Sequence, residues 1–252
     1  MHSCGGTRDV GIRELLDPSR ILTDATRSIA ELPGRDKFEM PMITLPPISA
    51  LKKRCRALAA LDLILSPEWE HRYFSFNALW APGQEMASMR NGCGDEWFCL
   101  FHSAGWAGLK GLDHESRAWR EGSDSLCEAL RTDIPALFAD FSCEPAFRWD
   151  VTSFLFYCTD ESQPWVRVIG KTAFAGLPTN EELHLSLLVG SPADYVNHAA
   201  DYFRKEVDER MVALVFSLAP LTPDRALALN PELDWPAIAQ ELFSEIGYPK
   251  AQ

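Results

Sequence analysis

The stretch Glu96-Trp97-Phe98-Cys99-Leu100-Phe101-His102, Ser103-Ala104-Gly105, Trp106-Ala107-Gly108-Leu109-Lys110-Gly111-Leu112 constrains the fold more than any other part of this chain. Its first run, 96–102, is apolar at consecutive positions, so a strand there buries both faces and needs a central place in a covered sheet. Ser103-Ala104-Gly105 has the length and terminal glycine of a three-residue hairpin loop, which leads into a second strand over 106–112. Residues 151–158 (VTSFLFYC) and 164–169 (PWVRVI) read as another hairpin. Between the two pairs, Leu126, Leu130, Ile134, Leu137 and Phe138 indicate helical structure around Pro135.

Helical punctuation surrounds this strand-rich region, 70–170. Ile48, Leu51, Cys55, Leu58, Asp62 and Leu65 alternate three and four apart, with Ser49 as N-cap and Lys52, Lys53 and Arg56 on the opposite face. From 179 to 249 the pattern is helical again. Asn180 opens one segment, Ser191-Pro192 a second, Thr222-Pro223 a third and Asp234 a last one that ends at Gly247. Strands followed by helices, without βαβ alternation, argue an α+β fold: an antiparallel sheet of four to five strands with packed helices and a helical C-terminal third. Residues 45–252 are expected to form that single domain. Residues 1–44 are charge-mixed and weakly periodic and read as a loosely structured extension, with Met40 and Met42 as alternative translation starts.

Charge narrows the partners. The 252 residues carry 36 acidic and 24 basic side chains, a formal net charge of -12. Such a surface repels phosphate, which disfavours nucleic acid and anionic membranes and suits a basic protein partner. From Asn180 onward there are 12 acidic against 5 basic residues. No run approaches the length of a membrane span, and no signal peptide is recognisable at Met1, so a cytoplasmic location is expected. The 7 cysteines include no C-x-x-C pair; reduced, mostly buried thiols are the economical interpretation.

Chemistry concentrates at the open end of the first hairpin. With a three-residue loop, pairing is symmetric about Ala104, so Asp95 faces Asp113, Gly94 faces His114, and Glu96 lies diagonal to His114. A two-residue turn would bring Asp95 directly opposite His114. Either register places a carboxylate near that histidine, as a general base with its orienting acid requires. Asp95, Glu96, Asp113, His114 and Glu115 could also hold a hard cation through oxygen, while a polar strand end that ties down a loop needs no chemistry at all. Gly92-x-Gly94 precedes a strand instead of opening a helix, so it is a turn beside Arg90 and Asn91, not a phosphate loop. Ser116 adjoins His114 and Glu115 too closely in sequence to form a triad. Histidine and cysteine spacings indicate no zinc site, and no cofactor is expected. Arg90, Asn91, Tyr73, Trp80 and Trp106 are candidate binding residues, with Tyr73, Trp80 and Trp106 as the lining of a small-molecule groove.

Several segments taken together resemble a family of uncharacterised bacterial cytosolic proteins. They are 68–77 (EWEHRYFSFN), 85–96 (EMASMRNGCGDE), His114-Glu115-Ser116, Glu144-Pro145-Ala146-Phe147, Pro220-Leu221-Thr222 with Leu229-Asn230-Pro231, and Glu245-Ile246-Gly247-Tyr248-Pro249. The resemblance covers about Leu51 to Pro249 and brings no activity with it; Cys93 stands where the pattern leads one to expect serine. Three functions stay open: an immunity- or adaptor-like protein-binding role, a hydrolase or metal-dependent enzyme using Asp95, Glu96, His114 and Glu115, and a small-molecule binding module.

Overall fold

The structure is a computed structural model and describes residues 43–168 and 180–250. The extension expected over 1–44 lies almost wholly outside these residues. Helix α1 (Ile48–Leu65) comes first, followed by strands β1 (Phe74–Ala81), β2 (Gln84–Arg90), β3 (Glu96–His102) and β4 (Ala107–Leu112). Helices α2 (Arg117–Asp133) and α3 (Ala139–Ser142) precede β5 (Phe154–Cys158) and β6 (Val166–Val168). Five more helices complete the described chain: α4 (Glu181–Val189), α5 (Pro192–His198), α6 (Glu209–Phe216), α7 (Pro223–Leu229) and α8 (Trp235–Gln240). The α+β class stands, but the antiparallel sheet has six strands, in the order β1-β2-β3-β4-β5-β6. The pair beyond the expected count is β1–β2, whose connection is Pro82-Gly83, with Gly83 at φ 74°.

Sheet register follows from burial on both faces. Trp97, Cys99 and Phe101 of β3 pack toward α1 and the C-terminal helices, while Phe98 and Leu100 pack with Phe138, Phe141, Phe147 and Trp149 on the other side. The continuous apolar run therefore has a core on each face. In β4, Gly108 and Gly111 admit the rings of Phe141 and Phe154, which approach within 2.6 and 2.0 Å of where a Cβ would stand.

α1 is the axis of the helical layer. From Ala57 to Leu65 every residue is buried, as expected of a helix enclosed on all sides. Ser49 does not cap it; its amide and hydroxyl bind the Glu161 carboxylate at 2.9 and 2.6 Å, and Pro47 holds the N-cap position. Lys52 and Arg56, expected on a solvated face, both pair with Glu85 of β2. Carbonyls at the C-terminal end of α1 have no intrahelical partners. Asn230 donates to the Ile64 carbonyl at 2.8 Å and Lys205 to that of Leu65 at 2.7 Å, while Arg72 donates to those of Ser66 and Pro67 and pairs with Glu241.

Asp62 is the polar centre of this layer. Its Oδ2 accepts from the amides of Phe74 at 2.7 Å and Tyr73 at 3.0 Å, and its Oδ1 from the Tyr195 hydroxyl at 2.7 Å. One carboxylate thus joins α1, the start of β1, and α5. Burial pushes its pKa from 3.8 up to about 7 against these hydrogen bonds. The unfolded carboxyl ionises near 3.8 while the folded one keeps its proton to about 7, so its contribution to stability falls as pH rises through that interval. Asp62→Asn is expected to remove this part of the pH slope in urea unfolding measured across the same interval. Tyr195→Phe should cost about 1–2 kcal/mol by the same measurement, because it takes one donor from a buried acceptor.

Candidate functional site

β3 and β4 pair from Glu96↔Leu112 to Phe101↔Ala107, a register symmetric about Ala104. This is the three-residue-loop alternative, and it brings the segments before β3 and after β4 together. The segment before β3 is an Asx turn: the Asn91 Oδ1 accepts from the amides of Cys93 at 2.8 Å and Asp95 at 3.1 Å. Gly94 has φ 117°, a conformation that favours glycine, and a Cβ there would lie 3.3 Å from the His114 ring, which would have to give by a few tenths of an ångström.

Asp95 is buried and His114 half-exposed. Asp95 Oδ1 accepts from the His114 amide at 2.9 Å and lies 2.7 Å from its ring Nδ1; Oδ2 accepts from the Asn91 amide group at 2.6 Å. Burial alone would raise the Asp95 carboxyl, but the His114 ring, the His114 amide and Asn91 outweigh it and hold it below 3.8. The bond to Asp95 in turn raises His114 above 6.5. The carboxylate that reaches the histidine is therefore Asp95 and not its neighbour Glu96.

Asp113 is buried deeper and faces the helical layer. Its Oδ2 accepts from the Asn180 amide at 2.9 Å and the Asn180 side chain at 3.0 Å, and its own amide donates to the Ser153 hydroxyl at 2.7 Å. Asn180, expected as a helix cap, makes no side-chain bond to α4 and instead ties its start to the hairpin. One turn into α4 stands His184, buried, with Nε2 at 3.9 Å from Asp113 Oδ1 and without a hydrogen-bond partner among the described residues. Trp97 Nε1 donates to the His184 carbonyl at 3.0 Å, and the His184 ring lies parallel to that of Phe154. Asp95, Asp113 and His184 present ligand atoms within 4.8 Å of one another. His184 has no cysteine or second histidine at ligand spacing, so local sequence patterns gave no signal for it.

The remaining expected residues are dispersed. Glu96 sits on the opposite sheet face, 3.9 Å from Lys110 and 3.7 Å from Arg148. Lys110 is itself buried, donates to the carbonyls of Val151 and Arg148, and has a pKa lowered by burial to about 8. Glu115 is exposed, 4.0 Å from His114 Nε2. Ser116 caps α2, accepting from the Trp119 amide at 3.2 Å. Arg90 lies over the rings of Trp69 and Phe98. Tyr73 packs against Phe74, His198 and Tyr202 in the helical layer, whereas Trp80 stacks on Phe147 and Trp106 meets Phe138 beyond the sheet. These three aromatics do not share a groove.

Of three surface depressions, about 630, 720 and 460 Å³, none is lined by Asp95, Asp113 or His114. All six described cysteines are free; Cys93 and Cys143 are exposed and the others buried. Among the described residues no helix is long and apolar enough to cross a membrane. Comparison with models of known protein families, with curated proteins and with solved structures returned no match to this chain.

The Asp95–His114 bond predicts a defined pH window. Stability from Asp95 is present above 3.8 and lost as pH falls through its lowered value. Stability from His114 is present below 6.5 and lost as pH rises through its raised value. Asp95→Asn should therefore destabilise most between 3.8 and 6.5. By NMR titration the same substitution should return His114 toward 6.5; an unchanged titration would contradict the pairing.

Proposed function

We propose that this protein acts by binding, docking a basic protein partner on the acidic surface of its C-terminal helices. One observation carries the reading. Between Ala199 and Lys250 the exposed charged residues are Asp201, Glu206, Asp208, Glu209, Asp224, Glu232, Asp234 and Glu245 against Arg204, Arg210 and Lys250. None of these eight carboxylates lies in an ion pair with another described residue. Unpaired exposed charge of one sign steers a partner of the other and sets its orientation. Tyr202, Leu214 and Leu227 are exposed on the same segment and offer apolar anchors among the charges. An immunity- or adaptor-like role fits a surface of this chemistry, and the family resemblance adds no activity that competes with it.

A hydrolase or metal-dependent enzyme is the second reading, favoured by the Asp95–His114 bond of 2.7 Å. A buried carboxylate behind a half-exposed imidazole is the arrangement a general base uses.

Affinity capture with the full chain at low ionic strength tests the docking reading. The captured partner is expected to be basic and to be released by salt. Glu206→Lys with Glu209→Lys should abolish capture. Asp208 is a poorer choice, because its side chain caps α6 by accepting from the Arg210 amide at 2.8 Å. No protein partner, or capture indifferent to the double reversal, would overturn the reading.

A further inference from the structure

We propose that Asp95, Asp113 and His184 form a binding site for a divalent transition-metal cation of the zinc class. The inference is independent of the docking surface and rests on the interior of the hairpin end. Two buried carboxylates stand there with oxygens within 4.8 Å of each other and of an imidazole nitrogen. Like charges at that separation repel strongly away from water. Among the described residues neither carboxylate pairs with a lysine or an arginine; their ionic neighbours are His114 and His184.

The second observation is the imidazole itself. His184 is 6% exposed, and its Nε2 is fully enclosed, without a hydrogen-bond partner among the described residues. It lies 3.9 Å from Asp113 Oδ1, too far for a hydrogen bond and on the side where the carboxylates converge. A buried nitrogen left unpaired costs free energy, and a cation between it and the carboxylates would satisfy it and neutralise both acids. Ligand atoms about 2.0–2.2 Å from a tetrahedral ion stand roughly 3.4 Å apart, so side-chain shifts of about 1 Å close the set. One imidazole nitrogen with two carboxylate oxygens suits zinc and its neighbours better than magnesium or calcium, which take oxygen alone.

Outer partners hold the ligands in place. Asn180 grips the far oxygen of Asp113 through its amide and side chain, Asn91 and His114 grip Asp95, and Trp97 fixes the His184 carbonyl. Such contacts orient metal ligands and sharpen affinity. The three ligands come from the segment before β3, the segment after β4, and α4, so a bound ion clips the sheet to the helical layer. Asn180 is exposed and His114 half-exposed beside the site.

The test is zinc chloride titrated calorimetrically into the full chain after chelator treatment, with accessible thiols alkylated so that Cys93 and Cys143 cannot bind it. Expected are one saturable site per chain, a rise in melting temperature with zinc, and an X-ray absorption shell of nitrogen and oxygen only. Asp113→Asn and His184→Phe should each weaken binding roughly tenfold or more; the phenylalanine keeps a ring against Phe154, and melting curves check that both variants fold. Magnesium chloride should not displace the zinc. Absence of a saturable site in the wild-type chain overturns the proposal whatever the variants do. So does sulfur in the coordination shell, or affinity unchanged in two folded variants.

Discussion

The Asp62 carboxylate sets the condition that the rest of the molecule meets. The half of α1 from Ala57 to Leu65 is enclosed on all sides and cannot leave a polar group to water, so each such group there needs a partner from elsewhere in the chain. Asp62 draws two amides from the start of β1 and the hydroxyl of Tyr195. The last carbonyls of α1 draw Lys205 and Asn230, and those just beyond its end draw Arg72. Sheet, central helix and C-terminal helices are thereby held in one relation by directional bonds, with the apolar core filling the space between. Burial would favour this helix against many surfaces; the bonds select one.

The hairpin end obeys the same rule with different consequences. Asp95 and Asp113 are buried acids, and each is met by amides: Asn91 and His114 for the first, Asn180 for the second. The Asp95 bonds tie the segment before β3 to the segment after β4, and the Asp113 bonds tie the latter to the start of α4. What the ties leave over is specific. His114 stays half-exposed beside an orienting carboxylate, and His184 keeps a nitrogen enclosed without a hydrogen-bond partner among the described residues. The enclosed nitrogen is the observation on which the proposed cation site rests.

Much of the architecture was legible in the chain. The apolar run 96–102 placed β3 in a covered sheet, the loop Ser103-Ala104-Gly105 set the register, and Ser191, Thr222 and Asp234 each cap the helix that follows. These signals work because they act within a few residues, where backbone geometry and side-chain reach decide the outcome. The β1–β2 hairpin was harder to see, since β2 (Gln84–Arg90) mixes polar, small and apolar residues without clean alternation; Pro82-Gly83 joins the two strands. Ser49 and Asn180 resemble caps in sequence, yet each binds a distant partner, Glu161 and Asp113. A local motif states what a side chain is able to do, and a better partner brought close by folding can take it.

The sequence by itself determined the α+β class, the acidic balance, the central hairpin and the neighbourhood in which Asp95 meets His114. Those features depend on composition, periodicity and short-range pairing. Only the tertiary structure decided that Glu96 turns to Lys110 while Asp95 takes the histidine, because β4 ends at Leu112 and the turn beyond it breaks the alternation that would have put His114 on the face of Glu96. It alone brought His184 to Asp113 across 71 positions and Tyr195 to Asp62 across 133. No spacing rule spans such separations: they are set by which surfaces can be buried together with every enclosed polar group paired.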